Sequence, residues 1–287
     1  MTATPAPGEA MRLGDLNVRY LPDGVIRAHP LRAYPEHAHL ARDPELKLLD
    51  EDGMLLLSVG ALLVETPAAR ILIDTGIGPR AIPIPSPDPA LAAGVMAGGQ
   101  LLDSLAAVGL RPDDIDAVLL SHLHADHVGW ITPDDDTTRA TFPHAEYFVG
   151  VGEFDFWGQP ANMARLTAPT PRQYSVIGSR RHDLRTGDQP YQGIEALLTP
   201  GHTPGHVSFV LSGYGTQRAI VVGDAMHTAA EILHPDMCWT GDLDPQAAVA
   251  SRHALVGDLS RPGTATIGPH FTGTVFPTRT WRSGSYT

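Results

Sequence analysis

Four side chains able to bind a metal fall within six residues of this chain: His122, His124, Asp126 and His127, in the run SHLHADHVGW. Imidazole and carboxylate suit zinc, manganese, iron or cobalt. Side chains alternate along an extended segment, so His122 and His124 share one side. A turn after Ala125 aims Asp126 and His127 at a second position nearby. Two ions need more ligands than one loop holds, and three others each close a β-like run: His202 after GIEALLTPG, Asp224 after AIVVG and His270 after ATIGP. Groups at the ends of several strands converge on one edge of a sheet. The reading that follows puts His122, His124 and His202 on one ion and Asp126, His127 and His270 on the other. Asp224 bridges them with its two oxygens. Two ions about 3.5–4 Å apart lower the pKa of a bridging water and hold a substrate oxygen.

Other residues take supporting roles in this reading. His206 lies four residues after His202, but the ligand shells are already full, so it is expected behind them, as is Asp74, a buried carboxylate orienting the loop. His227, three residues past Asp224, is placed to stabilise an oxyanion or give a proton to a leaving group, and Asp126 to shuttle one. Trp130, Phe271 and His227 are candidates for the substrate pocket. Asp134-Asp135-Asp136 reads as a solvated turn.

The elements that must position these groups alternate between strand and helix, an α/β pattern in one domain spanning 1–287. Residues 1–12 read as a loose tail. LNVRYL (16–21) and VIRAHP (25–30) read as strands joined by a turn at Asp23-Gly24. Residues 54–66 and 70–76 read as a buried hairpin. Loop insertions are expected at 31–52, at the Pro-rich 77–99 and at 158–190. Strands are expected at 116–120, 145–150, 193–199, 206–211, 219–224 and 265–271. Helices are expected at 101–110 and, opening on Asp244-Pro245, at 244–259.

Of the 287 residues 43% are hydrophobic and 18% charged, an ordinary globular balance. A net charge of −12 argues against a nucleic-acid partner. The single cysteine, Cys238, excludes an intrachain disulfide. Neither a signal peptide nor a membrane span is read, so a cytoplasmic location is expected. The N-terminal arm and the apolar segment 156–167 offer a homodimer contact.

Asp74-Thr75-Gly76, SHLHADHVGW, GHTPGH, Gly223-Asp224 and Gly268-Pro269-His270-Phe271 resemble the metallo-β-lactamase superfamily in type and order. The resemblance implies an αββα sandwich with metals at one edge and hydrolysis by a metal-bound hydroxide, zinc being the default metal. Asp224 stands where common β-lactamases carry a cysteine. GDAMHTAAEILHPDM followed by DLDPQAAVASRHAL is most similar to the lactonase and methyl parathion hydrolase-like branch, although the lactonases commonly have tyrosine at the position of His227. The expected activity is hydrolysis of a small ester or lactone. The alternatives are hydrolysis of a phosphotriester and, from another class, iron-dependent oxygenation of sulfur compounds.

Overall fold

Strand β3 (Leu55–Glu65) is apolar at nearly every position because both of its faces are covered. It lies inside a nine-stranded sheet built from β1 (Glu9–Leu13), β2 (Leu16–Ala28), β3, β4 (Arg70–Ile73), β5 (Ala81–Ile84), β6 (Gly94–Ala97), β7 (Ala117–Leu119), β8 (Glu146–Gly150) and β9 (Arg181–Leu184). Their order is β5-β6-β2-β3-β4-β7-β8-β9, with β1 also paired to β2. A second sheet runs β10 (Ile194–Leu198), β11 (Val207–Ser212), β12 (Arg218–Val221), β13 (Thr264–Ile267). The chain is described here by a computed structural model covering residues 2–133, 139–277, 279–280 and 285–286, so Asp134-Asp135-Asp136 lies outside the described residues.

The sheets stack face to face. Val18, Leu62, Ile71 and Leu119 of the first meet Ala196, Phe209, Val221 and Ile267 of the second in one buried cluster. Helices close both outer faces. Leu101 and Leu105 of one helix (Leu101–Ala107) and Val176 and Ile177 of another (Pro171–Ser179) cover Leu63, Leu72 and Val118. Leu255 and Leu259 of the helix Pro245–Leu259 cover Val210, Ile220 and Val222. This is the expected αββα sandwich, its four layers fixed by apolar faces that cannot be left in water. Among the described residues no helix is long and apolar enough to cross a membrane.

Four local expectations are corrected. The first residues are not a loose tail: Ala3 N–H donates to Leu49 O (2.8 Å), Ala6 N–H to Ser58 Oγ (2.8 Å), and β1 pairs with β2. Residues 16–28 form one strand with a bulge between Pro22 and Gly24 rather than a hairpin. Strand β6 explains this, because Val25–Arg27 pair with it along the edge where a hairpin turn would have exposed the backbone. The Pro-rich 77–99 segment supplies that β6 and the edge strand β5, where Pro83 is tolerated. Residues 158–190 hold the helix Pro171–Ser179 and β9. A reciprocal capping box opens that helix, with Gln173 N–H donating to Thr170 Oγ1 (3.3 Å) and Thr170 N–H to Gln173 Oε1 (2.9 Å).

The bulge turns the Asp23 carboxylate fully inward. Its oxygens accept from the N–H groups of Ile77 (2.7 Å), Gly78 (3.1 Å), Gly99 (3.1 Å) and Leu101 (2.9 Å) and from Trp130 Nε1 (2.7 Å). One anion thus gathers the loop after β4, the start of the covering helix and the segment behind the histidine loop. Asp23→Asn replaces one accepting oxygen with a donor facing donors. The expected cost is about 2–3 kcal/mol, measured as a lowered denaturant midpoint at unchanged slope.

Candidate metal centre

The histidine loop leaves β7 at the rim of the first sheet, and its residues are almost entirely buried. The Asp-Thr-Gly segment after β4 holds it from beside. Asp74 adopts a left-handed backbone (φ 60°), a conformation open to Asp, and aims its carboxylate at the loop. There Asp74 Oδ1 accepts from Ser121 N–H (2.8 Å), while Oδ2 accepts from Ser121 Oγ (2.8 Å) and lies 2.9 Å from His127 Nδ1. Thr75 fixes the backbone, donating from N (2.7 Å) and Oγ1 (2.9 Å) to His127 O. With its ring held by a carboxylate at one nitrogen, His127 is left with Nε2 facing inward.

Two groups of inward-facing atoms result. His122 Nε2 and His202 Nε2 lie 2.8 and 2.9 Å from His124 Nδ1. In the other, His270 Nε2 is 3.3 Å from His127 Nε2, and Asp126 Oδ2 is 3.4 Å from His127 Nε2 and 3.6 Å from His270 Nε2. Asp224 divides its oxygens between the groups. Its Oδ1 is 3.2 Å from His127 Nε2 and 3.0 Å from His270 Nε2, and its Oδ2 is 3.4 Å from His202 Nε2 and 3.9 Å from His122 Nε2. All seven residues read from the sequence as ligands therefore converge.

These groups suit divalent metal ions. Three imidazole nitrogens meet around one point with only Asp224 Oδ2 beside them, an arrangement with too few protons to satisfy itself by hydrogen bonds. Asp224 Oδ1, buried, has no hydrogen-bond partner. Burial, and then the neighbouring imidazoles, hold His122 and His124 well below the usual histidine pKa, which keeps them neutral as ligation requires. Burial also opposes charge on His127 and His270, but Asp224 in each case overcomes it and raises them.

His206 stands behind the centre, as expected. Its Nε2 accepts from Asp224 N–H (2.9 Å) and is therefore engaged away from any ion, while Nδ1 contacts Thr199 Oγ1 (2.8 Å). Burial, then His202, pushes its pKa down to about 3. Gly223 permits this approach: it has φ 55°, and a Cβ there would stand 2.7 Å from His206 Nε2.

His227 lies on the cavity wall, its Nε2 3.3 Å from Asp224 Oδ2 and its ring stacked on Trp239 (4.2 Å between centroids). Burial works against its charge, but Asp224 and then Glu231 raise its pKa to about 10. Two other expectations fail. Trp130 is buried among Leu105, Val128 and Ile131 with its N–H on Asp23, and Phe271 packs under the second sheet's helices with Ile232 and Leu255. Neither lines the cavity over the centre. Each directly follows a ligand segment, yet the backbone turns there and sends the ring into the core.

Several supporting groups went unread in the sequence. His202 Nδ1 is 3.1 Å from Asp242 Oδ1, and Asp242 Oδ2 accepts from Arg252 Nη1 (3.2 Å). Arg252 is fully buried and also approaches Glu231 Oε1 (3.9 Å), the carboxylate beside His227 Nδ1 (3.5 Å). One guanidinium thus steadies the carboxylates behind two histidines. A signal existed: Arg252 sits on the buried stripe Ala248, Arg252, Leu255, Leu259 of its helix, where a charge needs partners. Glu153, fully buried, accepts from Leu123 N–H (3.0 Å) and Gly205 N–H (3.0 Å), joining the two histidine segments. Asp242→Asn is expected to weaken metal affinity by about 10–100-fold, read by competition with a chromophoric chelator.

Above the centre lies a cavity of about 530 Å³. His124, Asp126, Asp224 and His270 form its floor, and Ile26, Ile84, Met96, Trp239 and Leu243 give it apolar walls. Ile84 and Met96 come from the Pro-rich segment, and Arg165–Thr167 from the segment before the capped helix. The loop 239–243 is a wall that the sequence did not announce.

Comparison with known proteins agrees with this geometry. Residues 56–262 match the model of the metallo-beta-lactamase superfamily. The chain belongs to that superfamily. Within it, the chain is 27% identical over 209 residues to the N-acyl homoserine lactonase of Bacillus thuringiensis, covering 69% of this chain and 75% of that one. It is 33% identical over 111 residues to the uncharacterized protein YobT of Bacillus subtilis (strain 168), so the match spans 38% of this chain and 45% of that relative. The solved structure of AidC, described as a dizinc quorum-quenching lactonase in complex with a product, superposes on this metallo-β-lactamase fold with a TM-score of 0.78. The two are 25% identical, covering 98% of this chain and 97% of that one.

Proposed function

We propose that the protein is a dinuclear metal-dependent hydrolase that opens small lactones or esters, with an acyl-bearing lactone as its best substrate. The observation that carries this is the division of Asp224 between two complete groups, one of three histidines and one of Asp126, His127 and His270. A single-iron oxygenase would have no use for the second. In this reading His122, His124 and His202 hold one ion, Asp126, His127 and His270 the other, and Asp224 both; zinc is the default metal. When bound, such a pair supplies Lewis acidity and a water acidic enough to act as nucleophile near neutral pH.

The rest is supplied by the chain. The apolar walls seat an acyl group and keep bulk water from the floor. Asp126, at the floor, is held as the carboxylate: burial would raise its pKa, but His127 and His270 lower it. It can therefore accept a proton as the ring opens. His227 presents a ring nitrogen on the wall beside Asp224, placed to donate to the leaving alkoxide oxygen. The N-acyl homoserine lactonase and the quorum-quenching lactonase among the similar proteins support the same substrate class.

The test is direct. Metal-loaded protein is assayed by proton release with N-hexanoyl homoserine lactone, a simple aryl ester and a phosphotriester. Lactone turnover well above that of the phosphotriester is expected. Preferential turnover of the phosphotriester, or one iron per chain on metal analysis, would replace this reading.

A further inference from the structure

We propose that Arg32 and Arg165 form an anion-recognising rim, so that the substrate carries a terminal oxyanion, carboxylate or phosphate, on the group that fills the cavity. The chemistry at the other end of that substrate rests on the lactone or ester reading above; the rim does not.

Both arginines line the cavity whose floor holds His124, Asp126 and Asp224. The chain has 32 acidic residues for 20 basic ones, and several of its arginines find them. Arg27 pairs with Asp50 and Asp52 (2.6 Å each), and Arg252 with Asp242 (3.2 Å). Arg32 and Arg165 do not: among the described residues neither has a carboxylate in ion-pair range, and Arg165 Nε donates only to the neutral Asn162 Oδ1 (3.3 Å).

Their supports are nevertheless built. Asn162 is buried and pinned by its own Nδ2, which donates to Phe156 O (2.9 Å), so the Arg165 guanidinium is anchored at Nε with its two terminal nitrogens left over. Arg32 sits in the short helix Pro30–Ala33, which Thr240 clamps to the cavity loop by donating to Ala33 O from N (2.9 Å) and Oγ1 (3.0 Å). Two cations are thus carried on fixed segments at a cavity that Ile26, Ile84, Met96, Trp239 and Leu243 also line. A ligand that satisfies all three zones has a reactive oxygen-bearing end, an aliphatic middle and an anionic far end. The guanidinium fork matches planar or tetrahedral oxyanions. On a chain of net charge −12 such a ligand is repelled elsewhere, so local cations decide where it is received.

Calorimetry with the metal-loaded protein tests this without turnover, using hexanoate, hexanedioate and 6-phosphonooxyhexanoate as probes. At least one of the two probes with an anionic far end is expected to bind about tenfold more tightly than hexanoate, the better of the two identifying the oxyanion. The ratio should fall to near one in the Arg32→Ala/Arg165→Ala double variant and partly recover with lysine at both positions. A ratio near one in the unaltered protein, or one the double variant leaves unchanged, overturns the proposal. Ring opening of neutral N-hexanoyl homoserine lactone is scored separately. Its absence would overturn the lactone reading and leave the binding ratio to decide the rim.

Discussion

Asp224→Ala is expected to lower kcat/KM by about 10³-fold or more, equivalent to about 4 kcal/mol of transition-state stabilisation. Among the described residues no other side chain divides its ligand atoms between both groups. Its Oδ1 lies within 3.2 Å of His127 and His270, and its Oδ2 within 3.4 Å of His202. In the proposed dinuclear centre, removing the carboxylate would take a ligand from each ion and the negative charge shared between the two groups. The measurement is kcat/KM together with metal content per chain. Full activity with two ions still bound would show that Asp224 does not bridge. Asp224→Asn separates charge from shape, and partial metal retention with low activity is the expected intermediate result.

Stripping the metals with a chelator is expected to lower the melting temperature by about 10 °C and abolish activity, both restored by adding back zinc, manganese or cobalt. An ion present at about 100 times its dissociation constant stabilises by about 2.7 kcal/mol. Two such ions give about 5 kcal/mol, and a chain of this size shifts by about 2 °C per kcal/mol. The physical source is the crowding of six imidazoles and two carboxylates that lack enough internal hydrogen bonds. Metal affinity should also weaken as pH falls. In the metal-free centre the His127 and His270 pKa values are raised, by Asp224 first against their burial, so protons compete for the same nitrogens. An unchanged melting curve on chelation would mean that the cluster stabilises itself.

Much of the centre is legible in the amino-acid sequence, because ligand chemistry is confined to few residue types and strand ends concentrate them. His122, His124, Asp126, His127, His202, Asp224 and His270 all converge as their spacing suggested, and Asp74 and His206 stand behind them. The β3–β4 hairpin and the helix after Asp244 are equally legible, since hydrophobic runs and caps act locally. The edge of the sheet is not. Residues 16–28 look like a hairpin until β6 arrives from about 70 residues later to pair with them, and no local pattern carries that contact. Nor does local pattern say which aromatic ring enters a pocket: Trp130 and Phe271 turn into the core, while Trp239, from an unmarked loop, forms the wall beside His227.

The sequence alone therefore supplied the candidate donor residues, their expected grouping around Asp224 and the α/β class, because these depend on residue chemistry and short-range periodicity, while the αββα layering followed from the family resemblance. The tertiary structure alone decided what surrounds them. Asp242, Glu231 and Arg252 are brought behind His202 and His227 by the packing of one helix on the second sheet, and Arg32 and Arg165 are brought to one cavity from segments over 130 residues apart. Such groups bear no signature of their own, since a buried charge acquires its partners only when distant elements close around it.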